Sequence, residues 1–248
     1  MYNDAIKAGG YAVVTGAASG VGKVAAMRFA EAGLGVILAD LPGPELDAAV
    51  ADIQARAADD MQVIGHPTNV TQDADVAALA DAAFDAGPVA VVMNNAGIGG
   101  PANTAWTGME GWQQLIEVNF YGVLRGVHAF VPRLIDANRP AVVINTGSKQ
   151  GITTPPGNPA YNVSKAAVRV LSEQLAHELR QAGAPISVHL FVPGFTYTGM
   201  VARNIPEKPA AAWTSEQTVD HFIARMADGD FYILCPDNDV DATRDRRR

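Results

Sequence analysis

Seven short apolar runs, each separated from the next by a stretch of helical length, govern what this chain can fold into. They are Tyr11–Thr15, Gly35–Asp40, Val63–Pro67, 89–93, Ala141–Thr146, Ile186–Val192 and 231–234. Runs that are apolar without alternation belong in a sheet buried on both faces, which is the signature of parallel strands. The segments between them read as helices at 21–32, 44–58, 71–85, 110–137, 159–182 and 215–227, with Gly33 and Gly183 as stops and Pro132 as a kink. Parallel strands need crossovers of one hand, so the pattern predicts an α/β fold, a doubly wound three-layer sandwich with a mainly parallel seven-stranded sheet. No repeat, low-complexity tract or linker interrupts it, and residues 1–248 read as a single domain. Stretches rich in proline and glycine at 97–101, 153–159 and 206–212 read as mobile connections.

Bulk chemistry removes several function classes. The 18 basic and 26 acidic residues leave a net charge of -8, which disfavours nonspecific binding to nucleic acid or an anionic membrane. Arg244, Arg246, Arg247 and Arg248 form the one basic run, read as a solvated tail. A lone cysteine, Cys235, rules out an internal disulfide or a multi-thiolate metal site and fits a reducing cytoplasm. Neither a signal peptide nor a bilayer-length apolar stretch is evident, so a cytoplasmic location is expected. His66, His128, His177, His189 and His221 are scattered, without metal-ligand spacing, and no metal is expected. Ser148 lacks the Gly-x-Ser-x-Gly elbow of a hydrolase nucleophile.

The first strand runs into Thr15-Gly16-Ala17-Ala18-Ser19-Gly20-Val21-Gly22 and then a helix. Gly16, Gly20 and Gly22 permit a tight turn and a close backbone approach to a pyrophosphate. The helix start at Ser19, Gly20 and Val21 offers free N–H groups and the positive end of a dipole. The pattern predicts the dinucleotide site of a Rossmann-type fold. Asp40 ends the second strand, where a carboxylate accepts both ribose hydroxyls of NAD and repels a 2′-phosphate. No basic residue follows at Leu41, Pro42 or Gly43, and Ala17 and Ala18 stand in the glycine loop. NAD is therefore expected over NADP, with Leu41 counted among the cofactor contacts. Asn69 and Val70, after the third strand, flank the adenine. Asn94 and the small run Asn95-Ala96-Gly97 after the fourth strand let the cofactor cross the strand ends.

The helix after the fifth strand opens Tyr161-Asn162-Val163-Ser164-Lys165. The four-residue spacing sets Tyr161 and Lys165 on one helix face. An ammonium beside a phenol favours the phenolate, so the Tyr161 pKa is expected to fall from about 10 toward neutrality, with help from a positive nicotinamide ring. Such a tyrosine exchanges protons with an alcohol or ketone at working pH. Ser148, just after the fifth strand, is placed to hold the substrate oxygen. Asn119 is a polar amide in an apolar stretch and needs partners if buried.

In this order the parts resemble the single-domain short-chain dehydrogenases/reductases. The resemblance rests on Thr15 to Gly22, Asp40, Asn94 to Gly97, Asn119, Ser148, Tyr161, Lys165 and Pro193-Gly194-Phe195-Thr196-Tyr197-Thr198, and spans residues 11–200. It implies that Tyr161 is the acid/base. Lys165 would lower its pKa and bind the nicotinamide ribose, and Ser148 would hold the substrate oxygen. Asn119 would support a water relaying protons to Lys165. Thr196 and Thr198 would lie against the nicotinamide carboxamide. The chain departs from the family pattern in three places. Asn69 stands where the family usually has Asp, though its amide oxygen can still accept from the adenine amino group. Gly147 replaces a frequent second Ser. The ending Phe231-Tyr232-Ile233-Leu234-Cys235-Pro236-Asp237 replaces Asp-Gly-Gly and resembles members that take hydrophobic or aromatic alcohols.

The substrate pocket is expected between 98–101, 149–155 and a lid at 199–215 carrying Met200, Val201, Ile205 and Trp213. Gln150 or Lys149 would meet a polar group there, or Lys149 would be solvated. The expected function is an NAD-dependent dehydrogenase that acts on a hydrophobic alcohol or ketone, in the oxidative direction because cellular NAD is mostly oxidised. An NADPH-dependent ketoreductase and a non-catalytic dinucleotide-binding regulator are the alternatives. The resemblance also implies a homodimer or homotetramer, paired through the two long helices.

Overall fold

The computed structural model describes residues 2–58, 61–100, 104–203, 205–241 and 243. The Arg244, Arg246, Arg247 and Arg248 tail and Pro101 of the expected pocket wall lie outside them. The elements run α1 (Tyr2–Ala8), β1 (Tyr11–Thr15), α2 (Gly20–Glu31), β2 (Gly35–Asp40), α3 (Pro44–Gln54), β3 (Val63–Pro67), α4 (Asp73–Ala86) and β4 (Val89–Asn94). There follow α5 (Met109–Ile116), a π-helical turn (Glu117–Tyr121), α6 (Gly122–Ala137), β5 (Ala141–Thr146) and α7 (Gln150–Thr153). The chain continues through α8 (Pro159–Gln181), β6 (Ile186–Val192), α9 (Gly199–Ala202), α10 (Ser215–Ala227) and β7 (Tyr232–Leu234).

The seven strands form one sheet in the order β3-β2-β1-β4-β5-β6-β7, and every pair is parallel. Side chains alternate across each strand, and both faces are covered. Val14, Leu38, Met93 and Ile144 pack with Phe29 of α2, Leu46 of α3 and Phe222 of α10. Val13, Ile37, Val92 and Val143 pack with Leu79 of α4, Phe130 of α6 and Leu175 of α8. The five inner strands are buried on both faces, which is why they read as unbroken apolar runs. The chain leaves β1 in one direction and β4 in the other, so a crevice opens between their carboxyl ends.

Four features differ from the sequence expectation. A helix, α1, precedes β1 and buries Tyr2 and Ala5 against the sheet. The helix expected over 110–137 is broken by the π turn around Asn119 and runs on across Pro132 to Ala137. The helix expected over 44–58 stops at Gln54. Short helices α7 and α9 occupy stretches expected to be loop. No described helix is long and apolar enough to cross a membrane, and no three His, Cys, Asp or Glu among the described residues could hold a metal ion.

Candidate active site

The crevice is built from the glycine turn upward. Gly16 (φ +68°) and Gly20 (φ +56°) occupy left-handed backbone that side chains rarely adopt. A Cβ on Gly22 would stand 2.2 Å from Gly16 O, and one on Gly16 would stand 2.8 Å from Ala96 Cα. Only hydrogen fits at either place, so the turn folds tightly on itself and against the end of β4. Ser19 flanks the start of α2 without a side-chain cap. The first-turn N–H groups there are available to an anion, and Val21 packs partly against the core.

Asp40 closes this pocket. Its Oδ2 accepts from Ala18 N at 2.8 Å and its Oδ1 from Leu41 N at 2.8 Å. Both oxygens are aimed by backbone, and each keeps acceptor capacity for a further donor. Leu41 beside it is exposed. A dinucleotide with free ribose hydroxyls fits this set of groups.

Other expected cofactor residues have different duties. Asn69 Oδ1 accepts from Thr71 N (3.1 Å) and Thr71 Oγ1 (2.8 Å). Both bonds hold this oxygen within its own turn. Val70 is buried, its side chain against Gly122 at the start of α6. Asn95 Nδ2 donates to Thr15 O (3.0 Å) and its Oδ1 accepts from Thr146 Oγ1 (3.2 Å). Thr15 Oγ1 accepts from the backbone N–H of Asn95 and of Ala96. Asn95 thus ties the ends of β1, β4 and β5 together under the crevice. Asn94 lies deeper, donating to Asn145 Oδ1 at 2.9 Å, and Asn145 donates to Ser172 Oγ at 3.0 Å. Thr196 turns its hydroxyl to Gly194 O (3.3 Å) and Thr218 Oγ1 (3.0 Å) of α10, while Thr198 leads into α9 with its methyl 3.4 Å from where a Gly20 Cβ would stand. Thr198 therefore overlies the glycine turn, and Thr196 anchors the segment from below.

Tyr161 and Lys165 lie on the first turns of α8, beside the end of β5. Lys165 is 4% exposed and donates from Nζ to Thr146 O at 2.9 Å. Burial pushes its pKa down to about 8. Its Nζ is 5.8 Å from the centroid of the Tyr161 ring. The Ser148 hydroxyl hydrogen-bonds the phenol, which favours phenolate, but burial outweighs it and raises the Tyr161 pKa above the ordinary tyrosine value. The expected fall toward neutrality is therefore not a property of these side chains alone, because desolvation opposes the charged form more strongly than the Ser148 hydrogen bond promotes it. Ser148 Oγ also accepts from Gln150 N at 3.2 Å.

Asn119 is fully buried in the π turn. Its Oδ1 accepts from Ile98 N (2.8 Å), and its Nδ2 donates to Ile98 O (3.0 Å) and Ser164 Oγ (3.3 Å). Ser164 in turn donates to Tyr161 O at 2.8 Å. The amide is a clamp between the loop after β4 and the first turn of α8. A Cβ on Gly97 would stand 3.2 Å from Asn119 Oδ1 and 3.5 Å from Lys165 Nζ, so Gly97 keeps this junction tight.

The sequence reading placed Thr15 in the glycine motif without a duty for its hydroxyl, and gave no role to Thr146 or Ser164. The only signal was Ser164 at the third position after Tyr161, the spacing at which a serine hydroxyl reaches back to a helix carbonyl. Lys149, expected to meet a polar group or solvent, is largely buried. Its side chain is 13% exposed and pairs with Asp237 Oδ2 at 3.5 Å. Across the crevice, Met200 Sδ lies 3.3 Å from where a Gly99 Cβ would stand. Trp213 donates from Nε1 to Asn238 Oδ1 at 3.0 Å, and Ile205 is exposed.

Comparison with known proteins bears on this geometry. Residues 10–209 match the short chain dehydrogenase family. A 1-deoxy-11-beta-hydroxypentalenate dehydrogenase of Streptomyces exfoliatus is 39% identical over 212 residues, covering 84% of this chain and 75% of the relative. A 2,5-dichloro-2,5-cyclohexadiene-1,4-diol dehydrogenase of Sphingobium indicum is 33% identical over 209 residues, 84% of this chain and 81% of the relative. Among solved structures, a short chain dehydrogenase/reductase from Burkholderia phymatum in complex with NAD superposes with a TM-score of 0.82 at 33% identity, covering 91% of this chain and 88% of that one. A short-chain dehydrogenase from Sphingobium yanoikuyae in complex with NADPH gives 0.81 at 25% identity, covering 91% and 87%.

Proposed function

The chain belongs to the short-chain dehydrogenase/reductase family, and from that premise we propose that it is an NAD-dependent dehydrogenase interconverting an apolar secondary alcohol and its ketone. The observation that carries this reading is the cluster of Tyr161, Ser148 and Lys165 beside the crevice, with the Ser148 hydroxyl on the phenol and the buried Lys165 ammonium 5.8 Å from its ring.

The nicotinamide, when bound, accepts or returns the hydride. The chain's own residues do the rest. Ser148 holds the substrate oxygen by a hydrogen bond that strengthens as negative charge develops there. Tyr161 takes the alcohol proton, or returns it to the ketone oxygen. Burial holds its pKa high, so it needs positive charge beyond that of Lys165 before it releases its proton readily. Proton transfer is thereby linked to cofactor binding. Lys165 serves the nicotinamide ribose and the phenol, and Asn119, Ser164 and Asn95 keep the cluster in register. Gly16, Ser19, Gly20, Val21, Gly22, Ala96, Gly97 and Thr198 would line the path of the cofactor, with the Val70 and Leu41 backbone at its adenine end.

Asp40 supports NAD over NADP, because its carboxylate is fixed at the strand end by two backbone donors and would face a 2′-phosphate as a like charge. The pocket side supports an apolar substrate. Met200 of the expected lid meets Gly99 of the loop after β4, and Lys149 is paired with Asp237. Ring alcohols suit this wall, as the names of the two relatives suggest for those proteins. We read residues 199–215 as a lid on a single domain, oxidation as the working direction, the cytoplasm as its place, and the α6 and α8 faces as the contact of a homodimer or homotetramer.

A panel of cyclic and acyclic secondary alcohols, assayed with NAD and NADP at the nicotinamide absorbance, tests the proposal. Cyclic alcohols with NAD should be oxidised, with kcat/KM at least about tenfold above that with NADP, since a like-charge contact of a few kcal/mol exceeds one decade. Equal rates with NADP would overturn the reading of Asp40. NADH binding without turnover of any alcohol or ketone would overturn the enzymatic one.

A further inference from the structure

Residues 199–206 form a strap between the two banks of the crevice. On one bank Thr198, where the strap begins, has its methyl 3.4 Å from where a Gly20 Cβ would stand. On the other, Met200 Sδ lies 3.3 Å from where a Gly99 Cβ would stand. Gly99 is two residues past Gly97, so at most about 7 Å of chain separates it from the junction of Asn119 and Lys165 that Gly97 keeps tight. This bank is fixed, because Asn119 holds both the N–H and the carbonyl of Ile98. Met200 therefore stands at the edge of the catalytic cluster.

The strap is held by little. Its backbone bonds, from Val201 N and Ala202 N to Thr198 O, Arg203 N to Gly199 O and Ile205 N to Val201 O, stay within it. Helix α9 buries no residue, and Met200 and Ile205 are each 41% exposed. The chain beyond it is fastened separately, with Lys208 Nζ on Ala212 O (2.7 Å) and Trp213 Nε1 on Asn238 Oδ1 (3.0 Å). Among the described residues, the one side chain that hydrogen-bonds residues 199–206 is Tyr197. Its phenol donates to Pro206 O and, at 3.2 Å, to Ile205 O, which closes residues 198–206 into a loop. Tyr197 is itself anchored, since its N–H donates to Trp213 O at 2.8 Å.

Resting on the proposed oxidoreductase reading, we infer that Tyr197 is a positioning residue, a latch that holds the strap against Gly99 and so sets, through Met200, how tightly the alcohol is held. The hydroxyl is spent on two backbone carbonyls, so its removal acts on the strap and leaves proton and hydride transfer to the groups that carry them. With no residue of α9 buried, the open and closed forms of the strap lie close in free energy. A single hydrogen bond then decides between them.

The test uses the full chain with Tyr197→Phe, Met200→Ala and the double variant. One readout is kcat and KM with whichever cyclic alcohol the panel identifies. The other is limited cleavage by trypsin, which needs no substrate. Arg203 is exposed on the strap, and the other basic residue between 198 and 213 is Lys208, which precedes a proline that blocks trypsin. Cutting after Arg203 therefore reports how often the strap is open. Loss of one neutral hydrogen bond shifts an equilibrium by about threefold to tenfold, so Tyr197→Phe should be cut at Arg203 faster by that factor. Its KM should rise by about twofold to tenfold with kcat kept, as expected for lost binding that the ground and transition states share. In Met200→Ala the strap has lost its grip on the alcohol, so adding Tyr197→Phe should raise KM by less than about twofold more. A residue that only stabilised the fold would expose other tryptic sites as well and would leave KM unmoved. The inference is overturned if either the Arg203 cleavage rate or KM of Tyr197→Phe equals that of the wild type, or if the two substitutions multiply in KM. Should the wild type turn over no alcohol, the functional reading fails and cleavage alone decides the latch: a faster cut in Tyr197→Phe supports it, and an unchanged rate overturns it.

Discussion

A phenol becomes a useful base near neutral pH only if its anion is favoured by more than its burial costs. At Tyr161 burial wins over the Ser148 hydrogen bond, so the residue is poised rather than ionised. Tyr161→Phe removes the proton carrier while leaving the crevice intact. Its turnover should drop by roughly two to four orders of magnitude, with NADH affinity, measured by fluorescence, near that of the wild type. Equal turnover would remove Tyr161 from the chemistry. Lys165 gives a second prediction at this scale. Burial lowers its folded-state pKa to about 8, against about 10.4 in an unfolded chain. Between those values the unfolded state binds more protons, so stability from this group rises with pH across the window and is missing below it. Lys165→Met has no such dependence. Thermal melts from about pH 7.5 to about pH 10 should show the wild type gaining on the variant, and a constant difference would contradict the assignment. Ser148, Tyr161, Lys165 and Asp40 were legible because their spacing and strand-end positions follow from the period of one element. Asn119, Thr196 and Lys149 were not, because what their side chains meet is supplied by Ile98, Thr218 and Asp237 from other parts of the chain.

Elements position these groups through close backbone contacts. Gly151 in α7 is the sharpest case, since a Cβ there would stand 2.6 Å from Lys165 C and 2.9 Å from Ala166 N. The short helix carrying the Ser148 loop thus rests directly on the backbone of α8. Gly151→Ala must push α7 away and stretch the Ser148–Tyr161 bond. A displacement near 1 Å at reacting groups can cost about a hundredfold in rate, so kcat should fall by one to two decades while circular dichroism stays native. A variant with full activity would show that α7 does not hold Ser148 in place. The π turn is the other element-scale device. Such turns are rare and occur mostly at functional sites, and here one carries Asn119 inward to clamp Ile98 and Ser164. The apolar period of 110–137 is helical on both sides of the turn and gives no sign of the extra residue within it. Helix α1 was missed for a related reason, because seven residues make too short a window for a periodic signal, and only packing of Tyr2 and Ala5 on the sheet distinguishes it.

At the scale of the whole molecule, the sheet order sets the crevice and the outer helices set the surface. Val163 and Val170 lie seven residues apart on one exposed stripe of α8, and α6 and α8 enclose an apolar depression of about 270 Å³ lined by Leu124, Val131, Leu171 and Leu175. If this face joins copies of the chain, light scattering should give a dimer or tetramer for the wild type. Val163→Asp/Val170→Asp should shift it to a monomer with its sheet intact. A wild-type monomer, or an unshifted variant, would move the contact elsewhere. The amino-acid order alone determined the strand count, the parallel layering, the glycine turn, Asp40 and the Tyr161–Lys165 pair, since each depends on residues adjacent in sequence or one helical turn apart. The tertiary structure alone decided that Asn119 is a clamp, that Lys149 is paired with Asp237, and that the Tyr161 pKa is raised. Those outcomes depend on burial and on partners tens of residues away, and no periodicity in a single chain encodes which distant groups come within hydrogen-bond reach or how much water is excluded from them.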